Sequence, residues 1–183
     1  MSYIDQAFYD ALVQRFSSWP DEPAADASLR EQCTALLLRE ARLLDQGRFE
    51  DWLAMYSERC VYWVPGTPGG DPRREVATAF DDRRRLEDRI YRLRTGHAWS
   101  QAPASRTVRM VSNVEVFRER DNVEAVMLRS NFLMSDFRSG ETRFWSGWCG
   151  HQLRRTAAGW EIEVRQVNLI DCDQNLRNPS LIL

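Results

Sequence analysis

Apolar positions change their period partway along the chain. Over residues 3–16, Ile4, Phe8, Ala11, Leu12 and Phe16 recur at the spacing of one helix face. Ser17-Ser18-Trp19-Pro20-Asp21-Glu22-Pro23 breaks that pattern and reads as a loop. Ser28-Leu29-Arg30-Glu31 has the form of a capping box, in which a hydroxyl and a carboxylate satisfy the first free N–H groups of a helix. The helix so started carries Leu29, Cys33, Leu36, Leu37, Leu43 and Leu44, and Gly47 is its stop because glycine accepts the left-handed conformation. A short helix follows, with Phe49, Trp52, Leu53 and Tyr56 on one side. The β-branched and aromatic run Cys60-Val61-Tyr62-Trp63-Val64 is then a strand, ended by Pro65-Gly66.

Residues 66–72 are rich in Gly and Pro and predict a loop. A charged helix is expected over 81–93, where Asp81 with Arg85, Arg84 with Asp88 and Asp88 with Arg92 stand four apart with opposite sign. Beyond it the period falls to two. Four strands are predicted, over about 106–118, 122–136, 142–155 and 159–171. Their turns are Arg120-Asp121-Asn122, Ser139-Gly140 and Ala158-Gly159. In the last strand Trp160, Ile162 and Val164 alternate with Glu161, Glu163 and Arg165, as in a sheet with one buried face. Alternation fails at Val111-Ser112-Asn113, which predicts a bulge that bends the sheet. Helices first and strands afterwards make an α+β protein, one domain over 1–183. A strongly curved, mainly antiparallel sheet wrapped around helices is a cone with an open mouth, and such a shape creates a pocket.

Bulk composition narrows the function. The net charge of −2 gives no reason to expect nucleic acid or an anionic membrane as partner. No stretch approaches the ~20 apolar residues of a membrane span. The N-terminus lacks the basic and apolar regions of a secretory signal, so a cytoplasmic protein is expected. All 25 cationic side chains are Arg, which excludes a Schiff-base or general-base Lys. That bias follows either from the genome's base composition or from the fitness of Arg for bidentate pairing at interfaces. The four cysteines, Cys33, Cys60, Cys149 and Cys172, form no C-x-x-C pair and are expected to be reduced. The seven Trp are spread along the whole chain, most of them as core and some as candidate interface anchors.

The two histidines, His97 and His151, restrict the chemistry most. Cys149-Gly150-His151 looks like the first half of a Rieske site, but Cys172 is followed by Asp173, Gln174 and Asn175, and no His occurs after 151. A facial iron triad would spend both histidines and finds no compact motif. Neither a G-x-S-x-G elbow nor a glycine-rich phosphate loop is present. A buried His or carboxylate in the cone is a candidate general acid or base, with Asp136, Asp171 and Tyr62 as candidate partners for His151. The competing reading is a hydrogen-bonded structural His on a strand face shared with Cys149.

Several blocks, in order, resemble the small (beta) subunits of aromatic-ring-hydroxylating dioxygenases. They are Glu40-Ala41-Arg42-Leu43-Leu44-Asp45, Phe49-Glu50-Asp51-Trp52-Leu53, Tyr62-Trp63-Val64-Pro65 and the run from Arg89 through Gly96-His97-Ala98-Trp99. Pro103-Ala104-Ser105-Arg106-Thr107, Val111-Ser112-Asn113-Val114, Asn175-Leu176 and Leu181-Ile182-Leu183 continue the series. The resemblance covers about residue 30 to the C-terminus, so residues 29–183 are expected to form the beta-subunit-like domain. Residues 1–28 are expected to be an N-terminal arm on a neighbouring subunit or a frayed end.

The resemblance implies a cone fold like nuclear transport factor two and SnoaL. It implies an assembly role with no catalytic, cofactor-binding or metal-binding residues of the chain's own. It further implies a large (alpha) subunit carrying a Rieske [2Fe–2S] cluster and a mononuclear Fe(II), in a family that commonly assembles three large with three small subunits around a threefold axis. Reductase or ferredoxin would then meet only the large subunit. Candidate contact residues are Arg89, Arg92, Arg94, Trp99 and Arg106. Two other readings are a stand-alone isomerase or dehydratase of the same cone fold, and a small-molecule binding module.

Overall fold

The computed structural model describes residues 5–23, 26–95, 101–118, 124–174 and 180–183. His97, Trp99, Asn175-Leu176 and the turn expected at Arg120-Asp121-Asn122 lie outside them. The described helices are α1 (Gln6–Ser17), α2 (Ala27–Asp45), α3 (Phe49–Leu53) and α4 (Arg83–Arg94). The strands are β1 (Tyr56–Val64), β2 (Ala79–Asp82), β3 (Arg106–Arg118), β4 (Ala125–Arg138), β5 (Glu141–Thr156) and β6 (Gly159–Leu169). They make one sheet in the order β2-β1-β6-β5-β4-β3. Only β1 with β6 runs parallel among its neighbouring pairs, which sets the first long strand beside the last, second and third in the sheet order. Among the described residues no helix is long and apolar enough to cross a membrane.

Local chemistry explains most of these elements. Ser139 and Gly140 both take positive φ, 52° and 85°, the geometry of a two-residue hairpin turn matched to strand twist. The expected bulge is present: the β3–β4 register shifts between Ser112 and Glu115, and Asn113 sits at φ 50°. A second irregularity, between Gln152 and Leu153, opposes Glu163 of β6. Together they curl the long strands around α2.

Three expectations need correction. The side chain that caps α2 is that of Asp26, whose Oδ1 accepts from Leu29 N at 2.8 Å, not a Ser28–Glu31 box. An Asx carboxylate two residues earlier offers a stronger acceptor than the Ser hydroxyl. The charged segment starts with the short strand β2, and Asp81 pairs with Arg89 at 2.6 Å rather than with Arg85. Asp81 is extended, so the helical four-residue spacing does not apply to it. Finally, the alternation in β6 does not give one buried face. The irregularity at Glu163 places Ile162 in the core inside the curl and Val164 in the cluster behind it, while Glu163, Arg165 and Gln166 are buried too.

The sheet therefore has two apolar faces. Inside the curl, Leu37 and Leu44 of α2, Trp52 of α3 and Leu86 and Ile90 of α4 pack on Tyr62, Leu128, Met134, Leu153 and Val167. On the outside, Phe8, Leu12, Val13 and Phe16 of α1 cover Val61, Trp63, Phe117, Met127 and Val164. A twelve-residue helix is marginal alone, so this packing, at about 1.5–3 kcal/mol per buried side chain, is what holds α1 in place. Residues 6–17 are thus docked on the chain's own sheet.

Candidate functional site

The buried titratable groups gather inside the curl. Glu40 lies on the apolar face of α2, in line with Cys33, Leu37 and Leu44, and is 3% exposed. Its Oε1 accepts from Trp52 Nε1 at 3.0 Å and Tyr56 Oη at 3.3 Å. Its Oε2 lies 3.0 Å from His151 Nε2. Arg165 completes the group, with Nε 3.4 Å from Glu40 Oε1 and its guanidinium over the Tyr62 ring. Burial pushes the Glu40 carboxyl up, but the Arg165 charge and then His151 outweigh it and hold the group at about 2. Glu40 is therefore ionised and can only accept, so His151 Nε2 carries the proton between them.

Cys149 and His151 do share a face, two residues apart on β5, as strand geometry requires. Both line a cavity of about 20 Å³, together with Leu37, Arg109, Ser130 and Arg165. That is the room of about one water molecule, well short of the ~300 Å³ at which small-molecule pockets begin. The Cys149 thiol is pushed up to about 11 by burial, so it is not a nucleophile at neutral pH. His151 Nδ1 and Arg165 Nη1 are buried without a hydrogen-bond partner among the described residues. Chemically the cluster is an ion pair clamped by aromatic donors, with little space for a reactant.

Sequence reasoning missed the partner of His151. Asp136, Asp171 and Tyr62 were the candidates, whereas the structure brings Glu40 from 111 residues away. The available signal was a Glu in register with the apolar stripe of α2. Tyr62 instead receives Leu183 N on its hydroxyl at 3.1 Å, closing the C-terminal tail over the curl. Arg109 secures the same tail: its Nη2 donates to Ile182 O at 2.5 Å, and its guanidinium pairs with Asp45.

The half-Rieske pattern has another explanation at Gly150. A Cβ there would meet Trp19 Cζ2 at 2.8 Å and Phe16 Cε1 at 2.9 Å. Glycine is required because the α1 segment lies directly on the strand at this point. Among the described residues no group of three or more His, Cys, Asp or Glu side chains is placed to hold a metal ion.

The candidate contact residues fall in different settings. Arg89 donates twice to Asp81, and both side chains are 13% exposed. Arg94 bonds Glu50 and the Gly47 carbonyl. Arg92 is exposed on α4 beside Tyr91, which is 66% exposed. Arg106 is exposed and lies over the Phe137 ring at 4.6 Å. A wider hollow of about 650 Å³ lies outside the curl, between α1 and the 69–73 loop, walled by Trp19, Trp63 and Trp148. Its Asp71 and Arg73 are bonded to each other.

Comparison with known proteins fits this picture. The family model described as "Ring hydroxylating beta subunit" matches residues 39–174. The 2-halobenzoate 1,2-dioxygenase small subunit of Burkholderia cepacia is 32% identical over 142 residues, covering 74% of this chain and 84% of that one. A solved structure of naphthalene 1,2-dioxygenase with indole in its active site superposes with a TM-score of 0.76, at 18% identity over 98% of this chain and 95% of that one. An NTF2-like protein with a cystatin-like fold from Novosphingobium aromaticivorans aligns at a TM-score of 0.56 and 18% identity, covering 98% of this chain and 97% of that one. The curled sheet is thus the NTF2-like cone. With three quarters of its length matched by a family relative and its whole sheet by the family fold, the chain belongs to the beta subunits of aromatic-ring-hydroxylating dioxygenases.

Proposed function

We propose that this chain is a non-catalytic, structural subunit of a multicomponent dioxygenase acting in the catabolism of an aromatic compound. The observation that carries this reading is the interior of the cone. Its histidine is held by Glu40 in a fully buried ion-pair cluster beside a cavity of only about 20 Å³. A stand-alone isomerase or dehydratase would need substrate beside that histidine. Catalysis then falls to a large subunit carrying the Rieske [2Fe–2S] cluster and the mononuclear Fe(II), with electrons from reductase or ferredoxin entering there. Three large and three small subunits around a threefold axis would set one subunit's cluster against the next subunit's iron. Arg92 and Arg106, both exposed, are the stronger contact candidates; Arg89 and Arg94 are already engaged within the chain. The cytoplasm is the compartment that suits its reduced thiols and reductase partners.

The test is co-expression with the cognate large subunit. A stoichiometric complex is expected, with all iron and all turnover lost when the large subunit is omitted. The first substrate to try is a benzoate, after the 2-halobenzoate enzyme of the relative. His151→Gln, which keeps a donor for Glu40, is expected to leave turnover of the complex unchanged. Iron or turnover in the isolated chain would overturn the reading.

A further inference from the structure

The hollow behind the sheet differs from the cavity inside the curl in size and in lining. At about 650 Å³ it falls within the ~300–1,000 Å³ of small-molecule sites, against about 20 Å³ beside His151. Three indoles wall it, from three parts of the chain: Trp19 after α1, Trp63 on β1 and Trp148 on β5. Trp19 stands edge-on to Trp148, with ring centroids 5.8 Å apart at 88°, and edge-on to Phe16 at 89°. Rings set at right angles suit a flat aromatic guest, stacked on one ring and edge-on to the next.

The floor is polar, although Val61, Val164 and Met127 make the neighbouring sheet face apolar. Gln166 of β6 lies between Trp63 of β1 and Gly150 of β5, and Asn168 lies beside Trp148. Both amides line the hollow, and Gln166 is only 4% exposed. Asn168 Nδ2 donates to Gln166 Oε1 at 3.0 Å. That leaves Gln166 Nε2 as a donor and Asn168 Oδ1 as an acceptor without a hydrogen-bond partner among the described residues. Turning both amides over leaves one donor and one acceptor all the same. Buried amide groups are costly unless matched, so this floor favours a guest with one acceptor and one donor side by side.

Charge narrows the guest further. The charged residues lining the hollow are Asp10, Asp71 and Arg73. Arg73 already donates to Asp71 through Nε and Nη2. A carboxylate guest would meet two carboxylates and a cation that is already paired, and like charges brought together are repelled. A neutral guest meets no such penalty. A carboxamide is neutral and offers a carbonyl acceptor and an N–H donor on one carbon.

We infer that this hollow is a binding site for a neutral, flat aromatic carboxamide or lactam, with its ring among Trp19, Trp63 and Trp148 and its amide edge on Gln166 and Asn168. The volume admits a guest of about two fused rings. The inference goes beyond the subunit reading and stands or falls on a ligand, not on a partner chain.

The probe is 2-naphthamide, compared with 2-naphthoate, its charged counterpart, and naphthalene, which has the rings alone. Binding is measured by equilibrium dialysis, with the purified chain and with its complex with the large subunit, and checked by thermal shift. The amide is expected to bind both preparations saturably and to raise the melting temperature of the chain. Naphthalene is expected to bind about tenfold more weakly, since two hydrogen bonds are at stake, and 2-naphthoate more weakly than the amide. Q166L, with an unchanged circular dichroism spectrum, should bind the amide no better than naphthalene. Should Q166L fail to fold, N168A makes the same comparison from the acceptor side. No binding of the amide, equal binding of all three probes, or tightest binding of 2-naphthoate overturns the inference. So does an amide preference that survives in the folded variant. If the amide binds the isolated chain but not the complex, the hollow is filled by the partner; the inference then fails while the subunit reading stands. If the amide binds as expected but no large subunit ever associates, the subunit reading fails and the site remains.

Discussion

Glu40 shows what a single residue contributes here. It neutralises Arg165, receives the indole and phenol donors of Trp52 and Tyr56, and orients His151. Replacing it by Gln keeps the shape but leaves the Arg165 charge buried and uncompensated. Glu40→Gln is expected to cost about 3–5 kcal/mol in urea unfolding, because breaking a buried pair strands the other charge. Adding Arg165→Met should recover part of that loss, which a double-mutant cycle measures. The acid side follows from the same carboxyl. Its folded value lies below its ordinary 4.5, at about 2, so its stabilisation is complete above 4.5 and is lost as pH falls from there towards 2. Unfolding midpoints measured across that window should drop more steeply for wild type than for Glu40→Gln. The sequence showed a Glu in register with the apolar stripe of α2 but not its partner, since nothing local joins Glu40 to a strand 111 residues later. Gly150 was read within a metal motif, yet its role is steric. Gly150→Ala is expected to cost about 1–3 kcal/mol by overpacking, and Trp19→Ala in the same chain should relieve it.

Elements whose pattern is carried by neighbouring residues were the readable ones. The strands β3, β4 and β5, the Ser139-Gly140 turn and the bulge at Val111-Ser112-Asn113 all rest on local signals, and all appear where expected. β2 escaped because four residues, Ala-Phe-Asp-Asp, are too few to show alternation and run straight into a helix. β6 misled for the opposite reason. Its alternation was clear, but the irregularity at Glu163 reverses the faces halfway along. The start of α2 offers a direct test of local chemistry. Asp26→Ala removes the observed cap and is expected to lower the melting temperature by about 2–4 °C, as a lost cap does in a chain of this size. Ser28→Ala is expected to leave it unchanged, and the two melting curves decide between the caps.

At the scale of the molecule, the chain is a sheet covered differently on its two sides. The inside is sealed by α2, α3, α4 and the C-terminal tail, and half of the outside by α1. Deleting residues 1–20 is expected to expose Val61, Trp63, Phe117, Met127 and Val164, so the isolated chain should bind a hydrophobic dye and melt earlier. An arm that served only a neighbouring subunit would leave the isolated chain's melting unchanged and weaken assembly alone. The family was legible in ordered sequence blocks, and the cone in the order of helices and strands. What covers the back of the cone was not, because the apolar stripe of α1 reads the same whether it packs inwards or onto a strand's far side.

The parallel pairing of β1 with β6 has a consequence for how the protein is made. During synthesis β1 leaves the ribosome long before β6, yet β6 is the strand that joins it to the rest of the sheet. Until then Val61 and Trp63 have no Val164 beside them, and α1 has only part of its bed. Local hairpins among β3, β4 and β5 can form early, but the junction of β1 with β6 closes after them, through contacts far apart in sequence. Until β6 is made, the nascent chain therefore carries the apolar stripe of α1 and the outer face of β1 without their full cover.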